Sequence, residues 1–272
     1  MAIEDVSSRS LTELVSLEGR RAVVTGGAKG IGSAIASRLA EAGADVMLAD
    51  IDEVGAKVAA QEVAARYGHR AIGSVVDVAD PPSIAALADR AVLELGGIDI
   101  WVNNAGIYPS VPLLDMTNND WDRVLDINLR GTFVGSREAA QRMIDAGHGG
   151  VIVNIASTAG YQAAGPGVAH YVSSKHGMLG LTKSLAVELG PKDIRVLAVS
   201  PTLIETPGIE ANLESFKAAG LDDVLDQMVA RLPLGRAGVA DDVARVVMFC
   251  ASDLAGFMTG SSVLVDAGDV AV

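Results

Sequence analysis

Cysteine is nearly absent from this chain, which has only Cys250 among its 272 residues. One thiol cannot form an internal disulfide, and the apolar neighbours of Cys250 predict a buried, unreactive side chain. Apolar runs of membrane-spanning length are also missing. The first residues carry acidic side chains and lack the basic start and apolar middle of a signal peptide. We therefore expect neither a membrane segment nor export, and a cytoplasmic location.

Basic residues are in the minority, with 21 Lys and Arg against 34 Asp and Glu, for a formal net charge of -13. Nucleic acids and anionic membranes attract clustered Lys and Arg, so this balance argues against both partners. It is typical of a soluble protein whose molecules repel one another. We expect a small-molecule ligand instead.

Short aliphatic runs alternate with longer helical stretches along the whole chain. Runs such as Val151-Ile152-Val153 are apolar throughout, as expected for strands that helices cover on both faces. The repeated unit predicts an α/β fold of one domain: a Rossmann-like, doubly wound parallel sheet flanked by helices on both faces. The predicted strands are Arg21–Thr25, Asp45–Asp50, Ala71–Val76, Ile98–Val102, Gly150–Ala156, Ile194–Val199 and Ser262–Val265.

The predicted helices divide the rest of the chain, and no linker separates two domains. Residues 1–18 read as an N-terminal extension with a short helix near Leu11 to Val15, and residues 19–272 as one dinucleotide-binding catalytic domain. The stretch Pro201 to Gly238 interrupts the alternation, so a substrate lid is expected at about 202–238. Amphipathic pieces within it cover Ile209–Ala219 and Asp223–Arg231. Helices are predicted to begin near Ile31, Glu53, Ser83, Trp121, Ala169 and Asp241.

A glycine-rich turn joins the first strand to the first long helix, in the sequence Thr25-Gly26-Gly27-Ala28-Lys29-Gly30-Ile31-Gly32. Glycines permit a tight turn, and the helix start offers free N–H groups to a pyrophosphate. Because the turn lies between a strand and a helix, binding of a dinucleotide is favoured over a plain turn. Asp50 ends the next strand, where a carboxylate accepts ribose hydroxyls and repels a 2′-phosphate. The acid predicts NAD rather than NADP, although Lys29 in the turn could meet a 2′-phosphate.

Later segments resemble the short-chain dehydrogenase/reductase family over about Gly19 to Gly268. The resemblance rests on the glycine spacing, on Asp77-Val78, on Asn103-Asn104-Ala105-Gly106, and on four residues that occur in the family's order. These four, the catalytic set that the resemblance implies, are Asn128, Ser157, Tyr171 and Lys175. The cofactor-binding residues that it implies are Gly26, Lys29, Gly30, Ile31, Gly32, Asp50, Ile51, Asp77, Val78, Asn104, Ala105, Gly106, Tyr171, Lys175, Pro201, Thr202, Ile204 and Thr206.

The expected chemistry is a hydride and proton transfer between a secondary alcohol and a ketone. A tyrosine loses its proton near pH 10, so we expect the Lys175 ammonium and the positive nicotinamide ring of an oxidised cofactor together to lower the pKa of Tyr171 and make it a usable base. Ser157 would bind the reacting oxygen, with Thr158 as a fallback, and the resemblance implies that Asn128 holds a water that links Lys175 to solvent. Substrate contacts are expected from Ser157, Tyr161, Gln162 and Tyr171. No metal is expected.

Two departures from the family pattern follow the sixth strand. Thr202 stands where the family usually has glycine, and Asp266-Ala267-Gly268 stands for Asp-Gly-Gly. Three functions stay open: an NAD-dependent dehydrogenase of polyols, cyclic alcohols or hydroxysteroid-like alcohols; an NADPH-dependent 3-oxoacyl-thioester reductase; and a non-catalytic nucleotide sensor or scaffold. The resemblance also implies a homotetramer, assembled through helices Trp121–Ala146 and Ala169–Leu189 and the last helix and strand.

Overall fold

A parallel sheet of seven strands forms the centre of the computed structural model, which describes residues 5–206 and 224–271. The seven strands are β1 (Arg21–Thr25), β2 (Asp45–Asp50), β3 (Ala71–Val75), β4 (Ile100–Asn103), β5 (Gly150–Ile155), β6 (Ile194–Pro201) and β9 (Ser262–Val265). Two short strands, β7 (Ile204–Glu205) and β8 (Gly238–Val239), lie between β6 and β9 in the chain. Their order in the sheet is β3-β2-β1-β4-β5-β6-β9, and β7 pairs with β8 outside it.

The chain begins in the middle of the sheet, builds outward to β3, and then returns to place β4 beside β1. This reversal leaves a crevice at the carboxyl ends of β1 and β4, where ligands bind in open α/β sheets. The predicted single-domain α/β fold is therefore confirmed.

Helices cover both faces of the sheet. They are α1 (Leu11–Val15), α2 (Gly30–Glu41), α3 (Glu53–Tyr67), α4 (Pro81–Leu95), α5 (Asn118–Leu125), α6 (Gly131–Asp145), α7 (Ala169–Leu189), α8 (Val224–Ala230) and α9 (Ala240–Ala251). One core layer packs residues of α2, α3 and α9 on the sheet, and the other packs α4, α6 and α7. Alternate residues of β1 supply both layers, since Val24 belongs to the first and Val23 to the second. This is why the strands are apolar at every position.

Strand ends differ from prediction where neighbouring groups decide them. β4 begins at Ile100 rather than Ile98, just after Asp99 has accepted the backbone N–H of Arg21 at 2.8 Å. β6 continues to Pro201 rather than Val199 because Pro201 still pairs with Val265 of β9. The short strands β7 and β8 were not predicted, because two residues are too few to show the alternation of apolar and polar side chains that indicates a strand.

The predicted helix Trp121–Ala146 begins earlier, at Asn118, and is not one regular helix. A wider π-helical turn, Asp126–Arg130, separates α5 from α6. As a result α5 packs against α7 while α6 packs against α4. Single π-helical turns within α-helices frequently mark functional sites.

The N-terminal extension does contain the predicted helix, α1, which Ser10 and Glu13 cap reciprocally. Arg9 reaches Asp253 at 2.6 Å and so attaches the extension to the turn that follows α9. Of the predicted lid, α8 is described, whereas the predicted piece Ile209–Ala219 lies outside the described residues. Among the helices in the described ranges, none has the length and apolar character needed to cross a membrane.

Candidate active site

The glycine-rich turn folds tightly against the residues after β4. Gly26 and Gly30 have positive φ values of 66° and 59°, which favour glycine. A Cβ on Gly32 would overlap the Gly26 carbonyl oxygen. α2 begins at Gly30, and Lys29 before it makes no side-chain cap. The N–H groups of the first turn thus remain directed to the crevice, an arrangement suited to a pyrophosphate.

Asn104 and Ala105 support this turn from behind. The Asn104 side-chain amide donates to the carbonyl oxygens of Thr25 (2.8 Å) and Gly26 (3.1 Å). The Thr25 hydroxyl accepts the backbone N–H groups of Asn104 and Ala105 at 3.1 and 3.2 Å. The Asn-Asn-Ala-Gly segment therefore fixes the shape of the cradle.

Acidic residues flank the cradle at the ends of β2 and β3. One Asp50 carboxylate oxygen accepts the Ala28 N–H at 3.1 Å and the other accepts the Asp52 N–H at 3.0 Å. Its negative charge thus lies directly beside the glycine-rich turn. Ile51 next to it is exposed. Asp77 is exposed as well and accepts the Ala79 N–H at 2.9 Å.

The structure brings Ser157, Tyr171 and Lys175 together. Tyr171 and Lys175 lie one turn apart on α7, and the side chains of Ser157 and Tyr171 are hydrogen-bonded. The Lys175 Nζ lies 5.7 Å from the centre of the Tyr171 ring and donates to the Ile155 carbonyl at 2.7 Å. Ser157 follows β5 directly, so strand and helix fix the three groups against one another.

Thr158 does not take the place of Ser157. It is buried in a short 3₁₀ turn, and its carbonyl accepts the N–H groups of Tyr161 and Gln162. Ser157 is the hydroxyl that reaches Tyr171.

Asn128 is fully buried in the π-helical turn, and its amide is occupied by protein groups. Its oxygen accepts the Ile107 N–H at 2.9 Å. Its nitrogen donates to the Ile107 carbonyl at 2.8 Å and to the Ser174 hydroxyl at 3.2 Å. Asn128 thus ties the loop after β4 to α7 at the residue beside Lys175.

Burial has the largest influence on the pKa of Tyr171. Burial raises the pKa of Tyr171 above 10, the hydrogen bond with Ser157 lowers it, and the nearby Tyr108 raises it further. Burial also lowers the pKa of Lys175 to about 8. The lysine ammonium is directed to the Ile155 carbonyl, 2.7 Å away. The lowering of the Tyr171 pKa that is expected from Lys175 together with an oxidised nicotinamide ring stays a prediction.

Three residues of the loop after β6 have specific partners. The Thr202 hydroxyl donates to Asp269 at 2.6 Å. Ile204 is buried in β7, whose partner is Gly238 of β8. Thr206 is hydrogen-bonded to the Tyr108 hydroxyl, and the Tyr108 ring contacts that of Tyr171 edge-on, at 6.1 Å between centres. The loop therefore reaches the tyrosine through Tyr108.

Tyr161 lines a cavity of about 370 Å³ with Leu179 and Lys183. Its expected contact with a substrate stays a prediction. His170, considered as a pocket wall, is fully buried, and its Nδ1 accepts the Tyr171 N–H at 2.8 Å. Gln162 is half-buried in the turn after Ser157.

Sequence reasoning missed two polar contributions. Asp269 contacts Thr202 from 67 positions away, and Asn154 lies fully buried in β5. Neither follows a motif, so no sequence signal identified them. Within the described part of the chain, no three His, Cys, Asp or Glu side chains form a possible metal site.

The cradle and the Ser–Tyr–Lys cluster define the class of oxidoreductases that use a nicotinamide cofactor. Residues 26–269 match the family model described as enoyl-(acyl carrier protein) reductase. The chain belongs to the short-chain dehydrogenase/reductase family.

Three relatives illustrate its range. A 3-oxoacyl-acyl-carrier-protein reductase of Aquifex aeolicus is 37% identical and covers 93% of this chain and 98% of its own. A D-threitol dehydrogenase of Mycolicibacterium smegmatis is 40% identical and covers 93% of each. A crystal structure from Agrobacterium tumefaciens, titled as a 2-deoxy-D-gluconate 3-dehydrogenase with bound NADP, is 36% identical with a TM-score of 0.83, covering 95% and 99%.

Proposed function

We propose that this protein is an NAD-dependent dehydrogenase that interconverts a secondary alcohol and its ketone, with Tyr171 as general acid and base. The observation that carries the proposal is the contact of Ser157 with Tyr171 beside Lys175, at the same edge of the sheet as the glycine cradle. The bound nicotinamide ring supplies the acceptor or donor of hydride. The proposed substrates are polyols, cyclic alcohols or hydroxysteroid-like alcohols.

In the proposed reaction Tyr171 takes the hydroxyl proton as the alcohol is oxidised and returns it to the ketone oxygen in reverse. Ser157 donates a hydrogen bond to that oxygen and stabilises its developing charge. Lys175 holds a positive charge below pH 8 and favours the phenolate once the tyrosine ionises. Asn128 is fixed between Ile107 and Ser174. In this proposal it holds in place the water that links Lys175 to solvent.

Asp50 supports NAD as the cofactor, because a carboxylate beside the cradle repels a 2′-phosphate. The second candidate is an NADPH-dependent 3-oxoacyl-thioester reductase, which the relative from Aquifex aeolicus and the NADP bound to the related structure favour. An acidic chain, at a net charge of -13, is poorly suited to an acidic carrier protein. The third candidate is a non-catalytic sensor. Such a protein would not need Ser157, Tyr171 and Lys175 side by side, so their presence favours an enzyme.

The decisive experiment compares Tyr171→Phe with Tyr67→Phe, a matched loss of one hydroxyl at a residue that bonds Ser37 on α2. Turnover of a panel of secondary alcohols with NAD is followed at the nicotinamide absorbance. Tyr171→Phe should lower kcat by about 10³-fold with cofactor affinity nearly unchanged, because general acid–base catalysis contributes that much. Tyr67→Phe should keep its activity.

Appreciable turnover by Tyr171→Phe would refute the assignment. If the enzyme prefers NADPH and reduces a 3-oxoacyl thioester, it is the reductase of the second candidate function. If neither cofactor supports turnover, the result favours the non-catalytic sensor.

We also propose a homotetramer assembled through α5, α6 and α7 on one side and α9 with β9 on the other. Partly exposed Trp121 and Phe133 on the first face and fully exposed Phe257 near the second support it, since apolar side chains of this size are usually covered. Sedimentation as a monomer at micromolar concentration would contradict the proposal.

A further inference from the structure

A cavity of about 530 Å³ opens at the edge of the sheet opposite to Tyr171. Its walls come from the amino ends of the strands, where Arg20 precedes β1 and Lys192 precedes β6. The N-terminal extension closes one side with Val6 and Arg9. The cofactor cradle and Ser157 lie at the carboxyl ends of the strands, so this cavity is separate from the candidate active site.

A buried arginine forms part of the wall. Arg195 on β6 is only 9% exposed, and its guanidinium donates to the carbonyl oxygens of Cys250 (2.9 Å) and Ser252 (3.2 Å). No carboxylate of residues 5–206 or 224–271 forms an ion pair with it, and burial lowers the pKa of Arg195. Asp253 attracts Arg195 only from beyond ion-pair distance and is itself paired with Arg9 and Arg20. A buried charge without a close counter-ion is unfavourable, and an anion in the cavity would offset the cost.

Asp99, which also lines the cavity, is already paired with an arginine. It accepts from the Arg21 guanidinium through both oxygens, at 2.6 and 2.8 Å. His148 contacts the same guanidinium through Nε2 at 3.2 Å and the Gly149 carbonyl through Nδ1 at 2.8 Å. Asp99 and Arg21 therefore balance one another at this corner of the cavity.

Positive side chains outnumber carboxylates among the remaining described residues that line the cavity. Asp253 is shared by Arg9 and Arg20, at 2.6 and 3.4 Å, and Asp193 is the other described lining carboxylate. Even with Arg9 left out of the count, the described lining has three cations against these two carboxylates, in a chain whose net charge is -13. The three cations are Arg20, Lys192 and Arg195.

We propose that this cavity binds a small organic anion, a molecule bearing a carboxylate or phosphate group, with the anionic group directed to Arg195 and the rim formed by Arg20 and Lys192. A guanidinium offers paired donors that match carboxylate and phosphate oxygens. The volume lies within the range of small-molecule sites. Because the extension forms one wall, a bound anion also bridges the extension and the strand ends of the sheet.

The test uses the full chain with its cofactor cradle saturated by NAD or NADP, whichever binds, because the cradle itself attracts phosphate. Inorganic phosphate and citrate are titrated at constant ionic strength against chloride, by calorimetry and by thermal unfolding. Wild type should bind at least one of them saturably and unfold at higher temperature, since a ligand of the folded state stabilises it. Citrate bound without phosphate would indicate a carboxylate ligand, and the reverse a phosphate ligand.

Substitutions at exposed rim residues separate this site from general charge effects. The double variant Arg20→Gln with Lys192→Gln should weaken binding about tenfold, whereas Arg66→Gln, an equally exposed arginine that does not line the cavity, should bind as wild type. Absence of saturable binding, or equal affinity in the double variant, or equal loss in Arg66→Gln, would overturn the proposal.

Discussion

The Thr202 hydroxyl donates a 2.6 Å hydrogen bond to a carboxylate oxygen of Asp269. It joins the loop after β6 to the C-terminal segment, which Asp266 holds by accepting the N–H groups of Gly268 and Val270. Glycine, the family's usual residue at position 202, has no hydroxyl. The departure at this position thus creates a contact that restrains the loop in which Ile204 and Thr206 are expected to bind the cofactor.

Loss of this bond should weaken cofactor binding more than turnover. Thr202→Val and Asp269→Asn should each raise the KM for the cofactor about five- to tenfold, because a net hydrogen-bond contribution of about 1–1.4 kcal/mol corresponds to that factor. The kcat should change less than about twofold, by the same principle, since no reacting group is altered. Steady-state kinetics of both variants and of the double variant provide the measurement.

Asp145→Asn is the matched control, because Asp145 is exposed at the end of α6 and accepts only from Gln141. Additive effects of Thr202→Val and Asp269→Asn in the double variant would show that the two side chains act independently and contradict the prediction.

The pKa of Lys175 predicts how stability depends on pH. That pKa is about 8 in the folded protein and 10.5 in an unfolded chain. Between these values the unfolded chain binds a proton that the folded chain lacks, so stability rises with pH by up to about 3 kcal/mol. Lys175→Met removes this titration. From pH 7 to pH 10, wild type should therefore gain stability relative to Lys175→Met, as measured by urea unfolding.

Lys183→Met on the same helix provides the comparison, because Lys183 is exposed. Its stability, measured over the same pH range, shows what replacing an exposed lysine by methionine on this helix does. Parallel curves for wild type and Lys175→Met would show that burial does not shift the lysine.

The charge of Asp50 should set the choice between NAD and NADP. Asp50→Asn keeps the side-chain oxygen that accepts the Ala28 N–H but removes the charge that repels a 2′-phosphate. We expect the ratio of kcat/KM for NADP over NAD to rise by about tenfold or more, from the loss of one short-range repulsion. Asp52→Asn, a cap residue that Asn replaces well, should change the ratio much less. Equal effects of both substitutions would contradict a specific role for Asp50.

A buried chain of polar side chains should contribute strongly to stability. Asn103 donates to Asn154 at 2.9 Å, and Asn154 donates to the Thr182 hydroxyl at 3.0 Å, linking β4, β5 and α7. Asn154→Ala leaves polar groups unpaired in a dry core and should lower the free energy of unfolding by about 2–4 kcal/mol. Chemical denaturation measures the loss, and the exposed Asn119→Ala should cost less than about 1 kcal/mol. A small effect at Asn154 would mean that water replaces the amide.

Local patterns predicted the fold because apolar runs and glycine turns report on nearest neighbours. β1, β2 and β9 have the bounds expected from the sequence. The contact of Thr202 with Asp269 escaped prediction because it joins residues that only the folded chain brings together. The effect of burial on the pKa of Tyr171 could not be predicted either, since spacing on a helix gives the distance to Lys175 but not the cost of burial.

The π-helical turn at Asp126–Arg130 makes this stretch sensitive to length as well as to composition. Each residue of an α-helix advances the direction of its side chains by about 100°. If the same five residues were wound as a regular α-helix, all of α6 would be rotated by about 100° relative to α5. Ser136 would then turn away from Asn103, to which it is bonded at 3.0 Å, and Gly135 would no longer give the Trp101 ring room. A homologue with a regular α-helix here should therefore keep both helix faces only if this stretch is one residue shorter.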